Sequence, residues 1–164
     1  MIKVGDALPD ATVFESTEFG DSCPLAPQKL SVAELARGKR IVAFGLPGAF
    51  TPTCSAKHVP GYLDNLAALK SKGVDEVWCL AVNDGFVMAA WGREHGAIGK
   101  VRMLGDGSAE LARKLGLDIE IPGMGVRSRR YSLLVDNLVV QRVNVEESGK
   151  FVVSNVETML EQLG

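Results

Sequence analysis

Cysteine is scarce in this chain, with three in 164 residues. Cys23, Cys54 and Cys79 are odd in number and too few for a disulfide scaffold. Their spacings do not make a zinc site, and two histidines, His58 and His95, cannot complete one. No metal or other cofactor is expected. Basic charge is not in excess either: 18 Lys and Arg against 20 Asp and Glu give a net charge of −2. That leaves no electrostatic footprint for nucleic acid. No apolar run approaches the roughly 18 residues needed to span a bilayer. The start, Met1-Ile-Lys-Val-Gly-Asp6, lacks the basic and apolar regions of a secretory signal. Internal repeats, composition shifts and low-complexity linkers are missing as well. With 46% hydrophobic residues, the expectation is one domain over residues 1–164, able to bury a sizeable core. The expected compartment is the cytoplasm, or an organelle if a targeting segment was removed.

What is present concentrates in Ile41-Val-Ala-Phe-Gly-Leu-Pro-Gly-Ala-Phe-Thr-Pro-Thr-Cys54. Its apolar, β-branched and aromatic opening reads as a buried strand that stops at Pro47-Gly48. A helix restarting at Thr53-Cys54 places a cysteine in the first helical turn, beyond the carboxyl edge of a strand. Unpaired N–H groups and the positive end of the macrodipole both favour a thiolate there. The plain competitor is an inert core thiol.

Around this segment the pattern alternates strand and helix. One short extended pair is expected around Ala11–Phe14. Ser31-Val-Ala-Glu34 has capping-box spacing and opens a short helix ending near Gly38. Arg40–Leu46 reads as a strand, Thr53–Lys72 as a helix bent at Pro60, and Glu76–Val82 as the next buried strand. That makes a parallel βαβ unit. Asn83-Asp84 caps a helix running to His95, Val101–Leu104 is a strand, and Ser108–Gly116 a short helix. Tyr131–Val135 and Val139–Val145 flank a turn at Asp136-Asn137. Ser154-Asn-Val-Glu157 reads as a second capping box for a helix through Leu163. The element order predicts an α/β, thioredoxin-like fold with a central mixed β-sheet flanked by helices. In such sheets chemistry collects beyond the carboxyl ends of the strands, which is where Cys54 falls.

A thioredoxin carries Cys-x-x-Cys at this place, whereas this chain reads Thr51-Pro-Thr-Cys54, a hydroxyl replacing the first thiol. Pro47-Gly-Ala-Phe-Thr51-Pro-Thr-Cys54 resembles the Pro-x-x-x-Thr-x-x-Cys motif of the peroxiredoxins. The resemblance continues through Lys57-His58-Val-Pro60-Gly61, Val82-Asn83-Asp84, Trp91 and Arg127-Ser-Arg-Arg-Tyr131, and is nearest to the type II, peroxiredoxin-5-like subgroup. It implies reduction of hydrogen peroxide and organic hydroperoxides by attack of the Cys54 thiolate, leaving a sulfenic acid. It also implies that Thr51 and an arginine, best matched by Arg130, stabilise the departing oxygen, while Pro47 shields the sulfur. Arg129 is the fallback for Arg130, since basic clusters are as a rule solvated. His58, one turn beyond Cys54, could form a Cys–His dyad. A rim or structural role is favoured, because attack needs a cationic neighbour rather than a strong base. His95 reads as a surface residue.

The sulfenic acid needs a second thiol. Some type II relatives carry it near the segment Phe151-Val-Val-Ser-Asn155, where this chain has none. Plant-like members of the subgroup instead pair the catalytic cysteine with one at the spacing of Cys79. Here Cys79 falls mid-strand, roughly 10 Å below the sheet edge, and disulfides need Cα atoms within about 7 Å. A buried core thiol is therefore the favoured reading of Cys79, with resolution of Cys54 as the alternative. Cys23, in a Gly/Pro-rich loop, reads as incidental. The expectation is a one-cysteine thiol peroxidase recycled by glutathione with glutaredoxin, or by thioredoxin. Its relatives suggest a homodimer pairing through the loop around Phe50, the segment Phe86–Arg93 and the Gly123–Arg127 loop. Two other functions compete: a general thiol–disulfide oxidoreductase, and a redox sensor or holdase without turnover.

Overall fold

A computed structural model describes residues 1–164. Strands β1 (Thr12–Glu15) and β2 (Gln28–Ser31) come first, followed by helix α1 (Val32–Ala36) and strand β3 (Arg40–Gly45). Helical backbone resumes at Pro52, widens into a π-helical turn over Cys54–His58, and continues as α2 (Val59–Asp64) and α3 (Leu66–Ser71). Then come β4 (Glu76–Ala81), α4 (Gly85–Glu94), β5 (Arg102–Gly105) and α5 (Glu110–Leu115). The chain ends with β6 (Asp118–Ile121), β7 (Gly125–Ser128), β8 (Tyr131–Asp136), β9 (Val139–Val145) and α6 (Val156–Leu163).

Seven strands form one mixed sheet in the order β2-β1-β5-β4-β3-β8-β9, and β6 pairs with β7 in a separate hairpin. β3, β4 and β5 are mutually parallel, as the βαβ pattern requires, and β8 runs antiparallel to β3. Alternation along the central strands divides the core between the two faces. Val42, Phe44, Val77 and Cys79 join a cluster that includes Cys54 and Trp91. Ile41, Ala43, Trp78 and Leu80 join the opposite cluster with residues of α1 and α5. Gly45 is fixed by packing, because a Cβ there would lie 2.1 Å from the Tyr131 ring.

Several local expectations shift. The helix after Cys54 is interrupted at Asn65, whose φ of −116° ends α2. Within the π turn the Val59 N–H reaches back to the Cys54 carbonyl, so Pro60, without a donor of its own, enters α2 in its first turn, where none is required. Ser31 caps α1 as expected, accepting from the Glu34 N–H. Asn155, not Ser154, caps α6 by accepting from the Thr158 N–H, since the Ser154 hydroxyl is committed to Glu146. The β8–β9 turn is Asn137-Leu138, both at positive φ, because Asp136 still pairs with Val139. The β6–β7 hairpin, absent from the sequence expectation, brings Arg127 to the loop that follows β3.

Candidate active site

Cys54 lies beyond the carboxyl end of β3, in the first turns of a helix whose leading N–H groups lack intrahelical acceptors. The loop between them is pinned by two contacts from other elements and one of its own. The Ala49 N–H donates to Asn83 Oδ1 (2.9 Å), Arg127 Nη1 donates to the Pro47 carbonyl (3.2 Å), and Thr51 Oγ1 donates to the Gly48 carbonyl (2.7 Å). Behind the cysteine, Trp91 Nε1 donates to Ser55 Oγ (3.0 Å), tying the turn to α4.

Arg130, one residue ahead of β8, directs its guanidinium at the cysteine. Its Nη2 donates to Cys54 Sγ at 3.2 Å, and its Nη1 to His58 Nδ1 at 3.0 Å. Because arginine can only donate, Nδ1 must be the acceptor and the imidazole proton sits on Nε2, which donates to the Ser154 carbonyl at 3.2 Å. Arg129 is turned away and donates to the Glu146 carbonyl (3.2 Å). Of the two candidate arginines, only Arg130 reaches the sulfur.

His58 is fully buried, not at the rim. It lies between Phe44 and Phe151, with ring centroids at 4.8 and 5.0 Å. Burial first, and the neighbouring Arg130 charge second, push its pKa down to about 3, while the Ser154 carbonyl and Glu146 pull the other way. It is therefore a neutral acceptor for Arg130 rather than a base for Cys54. The sign of the linkage follows. Between about pH 3 and pH 6.5 the unfolded chain binds a proton here that the folded chain refuses, so stability rises with pH and is lost on acidification. Lowering the pH from about 7 to about 5 is expected to cost about 2 kcal/mol. Urea unfolding at the two pH values will show it, and the dependence should flatten in His58→Gln.

Cys79 occupies the middle of β4, opposite Phe44 of β3, and is fully buried. Burial first, and Cys54 second, push its thiol well above the ordinary range, with Arg130 acting weakly in the opposite direction. Cys79 faces the same side of the sheet as Cys54 but is held as an un-ionised thiol, and all three cysteines are free. Cys23 is exposed in the loop before β2. His95 is half-buried, its ring edge-on to Trp91 at 5.3 Å.

A groove of about 830 Å³ opens beside the cysteine between Pro47, Thr53, Arg130 and Phe151. Cys54 lies behind this wall, with Arg130 reaching from the groove to the sulfur. A smaller cleft of about 300 Å³ at the opposite end of β4 and β5 is lined by Glu15, Glu76 and Arg102, which already pair with one another and offer no nucleophile. No cluster of potential metal ligands is present, and no helix is long and apolar enough to cross a membrane.

Two residues escaped the sequence reading. Glu146 is buried and accepts four hydrogen bonds on Oε2, from the N–H groups of Val152, Val153 and Ser154 and from Ser154 Oγ, each at 2.8 Å. Burial raises its pKa, but these donors outweigh burial and hold the carboxyl below its usual value. Tyr62 donates to the same Ser154 carbonyl as His58, at 2.9 Å. Neither carries a motif, because their partners are backbone groups about ninety residues away for Tyr62 and a loop's own amides for Glu146.

Comparison with known proteins gives a consistent pattern. The Redoxin family model matches residues 3–160. The chain is 48% identical to peroxiredoxin-2B of Arabidopsis thaliana over 164 residues, covering 99% of this chain and 98% of the relative. It is 44% identical to the chloroplastic peroxiredoxin-2E of the same plant, covering 99% of this chain and 69% of that protein. Among solved structures it superposes on reduced Prx3 of Vibrio vulnificus in complex with hydrogen peroxide, with a TM-score of 0.93, 43% identity and full coverage of both chains. Peroxiredoxin 5 of Alvinella pompejana follows with a TM-score of 0.84 and 33% identity, covering 99% of this chain and 98% of that one.

Proposed function

Because the chain belongs to the peroxiredoxin family of thiol peroxidases, of the type II kind, we propose that Cys54 is its peroxidatic cysteine, with Arg130, Thr51 and Pro47 completing the site. The observation that carries this reading is the Arg130 guanidinium 3.2 Å from Cys54 Sγ. A cationic donor on the sulfur stabilises the thiolate and can also reach a bound peroxide. The thiolate attacks the terminal oxygen of ROOH, so that an S–O bond forms as the O–O bond breaks. Sulfur supplies two electrons, Cys54 becomes a sulfenic acid, and the departing RO⁻ takes a proton to leave as water or alcohol. Arg130 meets the developing negative charge. Thr51 was expected as a donor. Its hydroxyl donates to the Gly48 carbonyl, so its oxygen lone pairs are left to accept a hydrogen bond from the peroxide O–H. Pro47, on the groove wall, limits water at the sulfur.

Regeneration runs through an external thiol. Cys54–SOH and one glutathione give a mixed disulfide and water, and glutaredoxin then removes the glutathione. Thioredoxin is the alternative donor. The buried, un-ionised Cys79 supports this one-cysteine cycle, since a thiol attacks only as thiolate. Three free cysteines suit the reducing cytoplasm, the compartment favoured here. A homodimer pairs through Phe50, Phe86 and Met124. These are large, exposed apolar side chains around the site's loops, 54%, 48% and 36% accessible. An NADPH-coupled assay with either reducing system tests the cycle. Turnover with glutaredoxin and glutathione, or with thioredoxin, that persists in Cys79→Ser is expected; loss of turnover in that variant contradicts it.

A further inference from the structure

Arg130 can serve Cys54 only if its guanidinium is held in one orientation, and its surroundings close a ring of hydrogen bonds around it. Its Nη1 donates to His58 Nδ1, and His58 Nε2 donates to the Ser154 carbonyl. That carbonyl also accepts from Tyr62, so both its lone pairs are used. The Ser154 N–H and hydroxyl, with the N–H groups of Val152 and Val153, converge on Glu146 Oε2. The Glu146 N–H in turn donates to the carbonyl of Arg130 itself, at 2.9 Å. The ring thus runs from the backbone of Arg130 through Glu146, Ser154 and His58 back to its side chain. The other Glu146 oxygen, Oε1, is buried without a partner, so the donors are concentrated on the side that fixes Ser154.

We propose that His58 and Glu146 are positioning residues that act on peroxide reduction through Arg130. His58 sets the guanidinium rotation that leaves Nη2 for the sulfur, and Glu146 holds the carbonyl that fixes the His58 tautomer. Neither residue donates to Cys54. A ring of this kind is stiff because each hydrogen bond orients the group that makes the next. The inference rests on Arg130 being the group that serves Cys54.

The test is a double-mutant cycle on kcat/KM for hydrogen peroxide. His58→Phe keeps the aromatic packing and removes both hydrogen bonds. It is expected to lower kcat/KM about tenfold in the otherwise native chain, and less than about twofold in the Arg130→Ala background. Glu146→Gln should show the same dependence with a smaller loss. Equal losses of His58→Phe in both backgrounds overturn the proposal. If Arg130→Ala itself leaves kcat/KM unchanged, the reading of the site fails instead. Should His58→Phe not fold, nitrogen-15 spectra of the native protein decide. A proton on Nε2 with a bare Nδ1 supports the ring, and a proton on Nδ1 overturns it.

Discussion

Cys54→Ser abolishes peroxide turnover, with an expected loss on the order of 10⁴-fold or more. The size of the effect follows from the chemistry of the step. The O–O bond breaks because an anionic sulfur supplies an electron pair, and a serine hydroxyl in the same place stays protonated and holds its electrons more tightly. Everything else at the site, including the Arg130 donor and the pinned loop from Pro47 to Thr51, would remain in the variant. The loss therefore isolates the nucleophile. Stopped-flow measurement of peroxide consumption checks it, with Cys23→Ser and Cys79→Ser as comparisons that should retain the oxidation step. Cys23 is exposed in a loop and Cys79 is enclosed in β4, so neither is placed to replace Cys54.

The second large effect belongs to Arg130. Arg130→Ala removes the donor 3.2 Å from Cys54 Sγ and leaves His58 Nδ1 without its hydrogen bond. Removal of one preorganised donor from a site of developing negative charge costs about 10²- to 10³-fold. A loss of that size in kcat/KM is expected, together with slower carboxymethylation of Cys54, since the attacking sulfur loses its cationic partner. Arg130→Lys should recover only part of it. A lysine carries the charge but not the planar fork that reaches His58 and Cys54 together. Arg129→Ala, by contrast, should act weakly, because Arg129 is engaged with the Glu146 carbonyl and does not touch the sulfur.

The sequence carried the nucleophile and the strand before it because both depend on local signals. An apolar run ending in Pro-Gly and a cysteine at a helix start are readable without tertiary knowledge, and β3, β4 and the Asp84 cap of α4 fall close to where the pattern puts them. Arg130 was legible only through a family motif, since nothing local distinguishes it from Arg127 and Arg129. The structure separates the three by register. Arg127 reaches the Pro47 carbonyl, Arg129 the Glu146 carbonyl, and Arg130 alone the sulfur.

Where the reading fell short, the deciding partner is a backbone group or lies outside the local motif. His58 takes the structural rather than the rim role its spacing to Cys54 left open, but its partners were not legible: an arginine 72 residues later takes its Nδ1 and a carbonyl 96 residues later its Nε2. Ser154 fits a capping box, but its hydroxyl is captured by Glu146, and the cap passes to Asn155. Glu146 has the appearance of a solvated loop residue because its donors are backbone amides, which carry no sequence signal. The β6–β7 hairpin hides in a Gly- and Pro-bearing stretch with strands of four residues, too short for alternation to register.

The central claim is that Cys54 alone is oxidised by peroxide and waits for a thiol from outside the chain. Mass spectrometry of the native protein, treated with about one equivalent of hydrogen peroxide in the presence of a sulfenic-acid trap, tests this most directly. The account predicts a single trapped oxidation on Cys54, with Cys23 and Cys79 left as free thiols. A dominant Cys54–Cys79 disulfide would contradict it.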